Sequence, residues 1–196
     1  RVLCMDLSGE ELAAADGEDE LFPERLLQVV KEAAPQAPHL YESRNAFLAP
    51  VLALTEEGME NAERMLLFTE AGNTRLTPAE SQMAQLLLGQ SGEHTFPLDG
   101  GQVTFRRCVV SVEAVEDGFA VTLTGQRRAG TALPTAAQCA ALEQLCVRTV
   151  QRCWENGYDL LSLGAVRALK QGTGREALTR KNACPQVQAD MSFLQF

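Results

Sequence analysis

Six cysteines and two histidines are the residues of this 196-residue chain with most chemistry to offer. A cysteine nucleophile needs a thiolate in an electropositive, partly open place beside an imidazole. The two histidines, His39 and His94, both read as loop residues in polar surroundings, while most cysteines fall on apolar faces. There is no Cys-x-x-Cys pair and no Cys/His cluster with metal-ligand spacing. Cys139, Cys146 and Cys153 recur every seven residues. On one helix, neighbours in that series lie about 10.5 Å apart along the axis, too far for a disulfide or a shared ion. Small core filler is their expected role, and any disulfide has to involve Cys4, Cys108 or Cys184. Gly-x-Ser-x-Gly, phosphate-loop, dinucleotide and His-Glu-x-x-His patterns do not occur. Thr124-Gly125-Gln126 and Gln171-Gly172-Thr173-Gly174 read as glycine-bearing turns, and Asp16-Gly17-Glu18-Asp19 lacks calcium-loop spacing and reads as a solvated acidic loop. No catalytic, cofactor-binding or metal-ligating residue is nominated, and no enzyme is expected.

The elements that would position any site come next. At 45% hydrophobic and 22% charged the composition is that of a globular chain. No apolar run approaches the ~20 residues of a membrane helix. The sequence begins at Arg1 rather than Met, so any targeting segment or lipid anchor would lie upstream. Residues 1–100 hold 18 acids against 6 bases, net −12, and residues 101–196 hold 8 against 11, net +3. That change of sign predicts a smaller acidic α+β domain over 1–90 and a second domain over 91–196. Nucleic acid is not an expected partner, because neither half is strongly basic and aromatics are few.

In the first half, Met5 and Leu7 suggest a short strand, Pro23 to Ala34 a helix, and Asn45 to Leu54 a strand bent or placed at an edge by Pro50. Met65 to Phe68 reads as a strand, Ala71-Gly72-Asn73 as a turn and Thr74 to Leu76 as a return strand. Thr77 then stands at an N-cap, Pro78 at the first helical position and Glu80 at the third, opening a helix that stops at Gly89.

In the second half the period switches to two. Gln102 to Val115 is a long strand whose apolar parity moves from odd (Val103, Phe105) to even (Cys108, Val110, Val112), which predicts a β-bulge near Arg106-Arg107. Phe119, Val121 and Leu123 face inward on the next strand, and Val187, Ala189, Met191 and Phe193 on the last. Between them lies a long helix opened by a capping box, Thr135 with Gln138. Its apolar stripe is Cys139, Leu142, Cys146, Val150 and Cys153, widened by Leu145 and Trp154. It stops at Asn156-Gly157, and Asp159 is placed to cap a second short helix through backbone N–H groups. The predicted fold class is α+β: an antiparallel sheet packed by a long amphipathic helix, in the order β-β-α-α-β, preceded by the smaller α+β domain.

This order of parts resembles the Ger(x)C family of spore-germination lipoproteins. Leu67-Phe68-Thr69, Leu76-Thr77-Pro78-Ala79-Glu80-Ser81 and Leu86-Leu87-Leu88-Gly89 resemble the family's strand ending in Phe, its Leu-x-x-x-Glu-Ser segment and its leucine-rich helix ending near Gly. Tyr158-Asp159-Leu160-Leu161-Ser162-Leu163-Gly164 resembles its Asp-Ile-Phe-Gly-Phe-Gly motif, with Asp159 and Gly164 matching and Ser162 in place of the first glycine. Arg167 follows, as a basic residue often does in the family, and Val187 to Phe193 resembles its closing strand.

The resemblance covers residues 23–196 and implies the family's middle and C-terminal domains. It implies a non-enzymatic, extracytoplasmic scaffold subunit of a nutrient germinant receptor, without cofactor. The implied location is the spore inner membrane, reached through an upstream lipid anchor, beside integral-membrane receptor subunits. Thr77, Glu80, Thr135, Gln138, Asp159 and Gly164 are then structural motif residues. The alternative is a surface-exposed ligand-binding lipoprotein module of unrelated role.

Overall fold

The computed structural model describes residues 4–5, 22–33, 46–55, 58–70, 72–89, 92–127, 130–172 and 185–194. They form an α+β fold in two compact units, Arg1–Ser81 and Gln82–Phe196.

The first unit holds strands β1 (Cys4–Met5), β2 (Ala46–Thr55), β3 (Gly58–Thr69) and β4 (Gly72–Arg75) in one sheet of that order, and helix α1 (Phe22–Ala33). Strands β2 and β3 are antiparallel from Ala46↔Thr69 to Thr55↔Gly58, and their register shifts between Pro50 and Leu52. Proline has no N–H for a ladder, so a break there lets the strand pass without an unmet bond. The strand expected over Met65–Phe68 is longer than the sequence suggests. Its first half, with Glu60, Asn61, Glu63 and Arg64, lacks apolar alternation in sequence, and Gly58 to Asn61 are held by pairing with β2. Leu48, Ala49, Leu52, Met65, Leu67 and Leu76 are buried, and Phe47 stacks on Phe68 with centroids 4.9 Å apart.

Helix α2 (Pro78–Leu87) contains the division between the units. Strands β5 (His94–Leu98), β6 (Gly101–Val115), β7 (Gly118–Arg127) and β8 (Gln186–Phe193) form the second sheet, in that order. Strand β5 is an addition to the β-β-α-α-β reading. It also corrects the placing of His94, which pairs with Phe105 inside the sheet and is 6% exposed. The expected bulge falls between Phe105 and Arg107. Pairing is antiparallel from β5 to β7, but β8 joins β7 in parallel, from Gly118↔Gln186 to Gly125↔Phe193. The cause is the connection, helices α3 (Ala136–Glu155) and α4 (Leu163–Gln171), which carries the chain over the sheet so that it re-enters in the same direction.

Helix α3 buries Leu142, Leu145, Cys146, Thr149, Val150, Cys153 and Trp154. Thr149 is the polar member of that face; its hydroxyl donates to the Leu145 carbonyl at 2.8 Å, which satisfies it internally. Each buried Leu, Val or Trp contributes roughly 1.5–3 kcal/mol, against about 1 kcal/mol for a cap. Packing therefore holds α3 in place, and its caps decide where it starts and stops. Gly125 corrects a turn reading: it lies inside β7, where a Cβ would come within 2.5 Å of the Phe105 ring. Bare backbone at that point leaves room for Phe105 and Phe193 to stack, centroids 5.3 Å apart and planes 11° off parallel.

Candidate functional site

The turn between α3 and α4 gathers Asp159 and Gly164. Helix α3 ends in a Schellman arrangement: the Tyr158 N–H donates to the Cys153 carbonyl at 2.8 Å and the Gly157 N–H to Trp154 at 2.8 Å. Gly157 takes φ +84, where a side chain would be strained. The next turn is tight, with the Ser162 N–H donating to the Asp159 carbonyl at 3.2 Å. Ser162, at the head of α4, has φ 54 and ψ 39 and makes no side-chain cap. The capping is done from three residues upstream. The Asp159 carboxylate accepts from the Leu163 N–H at 2.8 Å through one oxygen and from the Gly164 N–H at 3.0 Å through the other. A bidentate anion on the first amides of a helix answers both its unpaired donors and its dipole.

Helix α4 is seated by its cations. The Arg167 guanidinium lies 4.9 Å over the Phe119 ring and donates to the Gly118 carbonyl at 3.5 Å, and Lys170 donates to the Ala114 carbonyl. Strand β8 comes so close to Gly118 that a Cβ there would sit 2.1 Å from the Gln186 carbonyl oxygen. Asp159, Arg167, Lys170 and Gly118 thus fix the second short helix against the far end of the β6–β7 hairpin.

The other motif residues lie elsewhere and close on themselves. Thr135 N–H donates to Gln138 Oε1 at 3.0 Å, and Gln138 N–H to Thr135 Oγ1 at 3.2 Å. Thr77 N–H donates to Glu80 Oε2 at 2.8 Å, and Glu80 N–H to Thr77 Oγ1 at 3.2 Å. One residue on, Ser81 is fully buried and its hydroxyl accepts from the Met65 N–H at 2.8 Å. The Met65 carbonyl takes the Leu76 N–H at 3.0 Å, but the chain then turns into α2. Ser81 supplies the acceptor that a longer β4 would have given. Sequence pattern points to Ser81 only as the last letter of the Glu-Ser pair; its acceptor role needs the fold.

Three of the described thiols, Cys108, Cys139 and Cys146, are shifted away from the thiolate. Burial pushes Cys108 up to about 11 and Cys146, also facing Cys108, up to about 12. Cys139 is raised by burial and by the Glu143 carboxylate. Tyr158 is pushed up to about 12 by burial, with Cys153 and Asp159 adding to it. His39 and the acidic 16–19 segment lie outside the described residues. Among the described residues no three His, Cys, Asp or Glu side chains gather as a metal site, and no helix is long and apolar enough to cross a membrane.

The described residues form an α+β fold whose second unit joins two helices through a carboxylate-capped turn. No family model matches the chain, and no curated protein matches its sequence. Among solved structures it is similar to that titled "Crystal Structure of the GerBC protein", at 11% identity and a TM-score of 0.48. The likeness covers 77% of this chain and 57% of that one.

Proposed function

We propose that the chain is a non-enzymatic, extracytoplasmic scaffold subunit of a nutrient germinant receptor. In this reading it stands at the spore inner membrane, held by a lipid anchor upstream, and binds integral-membrane receptor subunits through its surface. Its two units correspond to the middle and C-terminal domains of the Ger(x)C family. The observation that carries the reading is the segment Tyr158–Gly164. It resembles the family's Asp-Gly motif, and its carboxylate is occupied by two backbone amides, the use a scaffold joint would have for it. The raised thiols support the non-enzymatic part, since a nucleophilic cysteine needs a lowered pKa.

The test is to tag the full-length protein in its own organism and fractionate spores. Recovery in the membrane fraction together with multi-spanning subunits is the expected result. A soluble protein without such partners would end the proposal. A second reading, a surface-exposed ligand-binding module, draws on one observation, a polar cavity within the second unit.

A further inference from the structure

That cavity, about 270 Å³, opens where the starts of β6 and α3 meet the end of β7. Pockets for drug-sized ligands run from about 300 to 1,000 Å³, so the volume suits something smaller. Its lining is mixed. Val103, Ala132, Leu133 and Pro134 are its apolar lining. Thr104 and Arg127 are polar lining, and the Thr104 hydroxyl is shared with Thr95 at 3.0 Å. Thr135 and Gln138 also line it, but their capping atoms are engaged with each other. None of the lining residues is acidic, in a chain with 26 acids against 17 bases.

Among the described residues Arg127 is the one cation of this lining. One of its guanidinium nitrogens donates to the Thr131 carbonyl, a loop residue on the same wall. A guanidinium has five donors in a rigid fork, so one such bond leaves donors for an incoming acceptor. A planar carboxylate matches that fork. The apolar lining residues match a short aliphatic body. An ammonium group on the same ligand would find no carboxylate partner here. A phosphate would find a single cation among the described lining residues.

We propose that this cavity binds a small aliphatic monocarboxylate, its carboxylate on Arg127 and its chain against Val103, Leu133 and Pro134. The inference is independent of the scaffold reading, since a receptor subunit and an unrelated module could both hold such a site.

The test is an NMR titration of the isotope-labelled chain with pentanoate, with norvaline and inorganic phosphate as competitor chemistries. Saturable amide shifts confined to Arg127 and to residues 100–104 and 131–138 are expected with pentanoate, with the other two weaker by about tenfold or more. Arg127→Gln should weaken pentanoate by about tenfold or more, and Arg127→Lys by less, because it keeps the charge and loses the fork. Leu133 is 46% exposed, so Leu133→Asp should fold even if the arginine variants do not, and its added carboxylate should repel the ligand. No saturable shift, equal binding of norvaline or phosphate, or pentanoate binding indifferent to both Arg127→Gln and Leu133→Asp would overturn the proposal.

Discussion

Ser162 is the described residue without a glycine's freedom that nonetheless takes positive φ. A left-handed backbone costs a residue with a Cβ about 1–2 kcal/mol, and Ser162 is exposed and makes no cap that would offset it. Ser162→Gly is therefore expected to stabilise the chain, by about 0.5–1 kcal/mol after the entropy that glycine adds to the unfolded state. A thermal melt reads this directly, and a lower melting temperature would refute it. Asp159 works in the opposite direction. Asp159→Ala removes two amide acceptors and should cost about 1–2 kcal/mol. An unchanged melting temperature with lost partner binding would make Asp159 a contact residue and not a joint. Ser81→Ala is the buried counterpart: it strands the Met65 N–H and should cost about 1–3 kcal/mol in a urea midpoint. Ser81→Thr keeps the acceptor but adds a methyl to a fully buried site.

At the scale of elements, the docking of β8 rests on two glycines of β7. Gly118→Ala would push a methyl into the Gln186 carbonyl, which is backbone and cannot swing aside. Hydrogen exchange at β8 amides should therefore quicken in Gly118→Ala, while β5 and β6 keep their protection; uniform protection would show that the strand accommodates the methyl. The outer margin of β8 is covered at one point by α3, where the Met191 N–H donates to Glu143 at 3.0 Å. Such contacts blunt an edge that could otherwise pair with another chain. Where one face is apolar and the other wet, elements were legible from sequence: α3, the parity change in β6 and the alternation of β7 all follow from side-chain period. Legibility failed where partners decide. The polar half of β3 and the short β5 exist because a neighbouring strand pairs with them. The parallel sense of β8 is set by the α3–α4 crossover and not by its own residues. Nor could Gly125 be told from a turn glycine without the two rings packed beside it.

At the scale of the whole molecule the thiols bear on pH. Cys108 and Cys146 ordinarily ionise near pH 9.0, and in the fold they hold their protons to about 11 and about 12. Above pH 9 the unfolded chain releases protons that the folded chain keeps, so stability falls with rising pH. The sign is fixed by the direction of the shifts: the contribution is fully present below about pH 9 and is lost as pH climbs through the folded values. Tyr158, raised from 10.0 to about 12, adds to the loss above about pH 10. A urea midpoint should stay level between pH 7 and pH 8.5 as far as these groups govern it, then decline steadily by pH 11. Cys108→Ala should soften that decline, since it removes one of the three groups. The same burial orders the reactivity of the described thiols. Cys139, the more open, should label first at pH 8, and Cys146 and Cys153, both fully buried, only as the fold opens. A midpoint that held level to pH 11, together with prompt labelling of Cys146, would mean that α3 does not lie on the sheet as described.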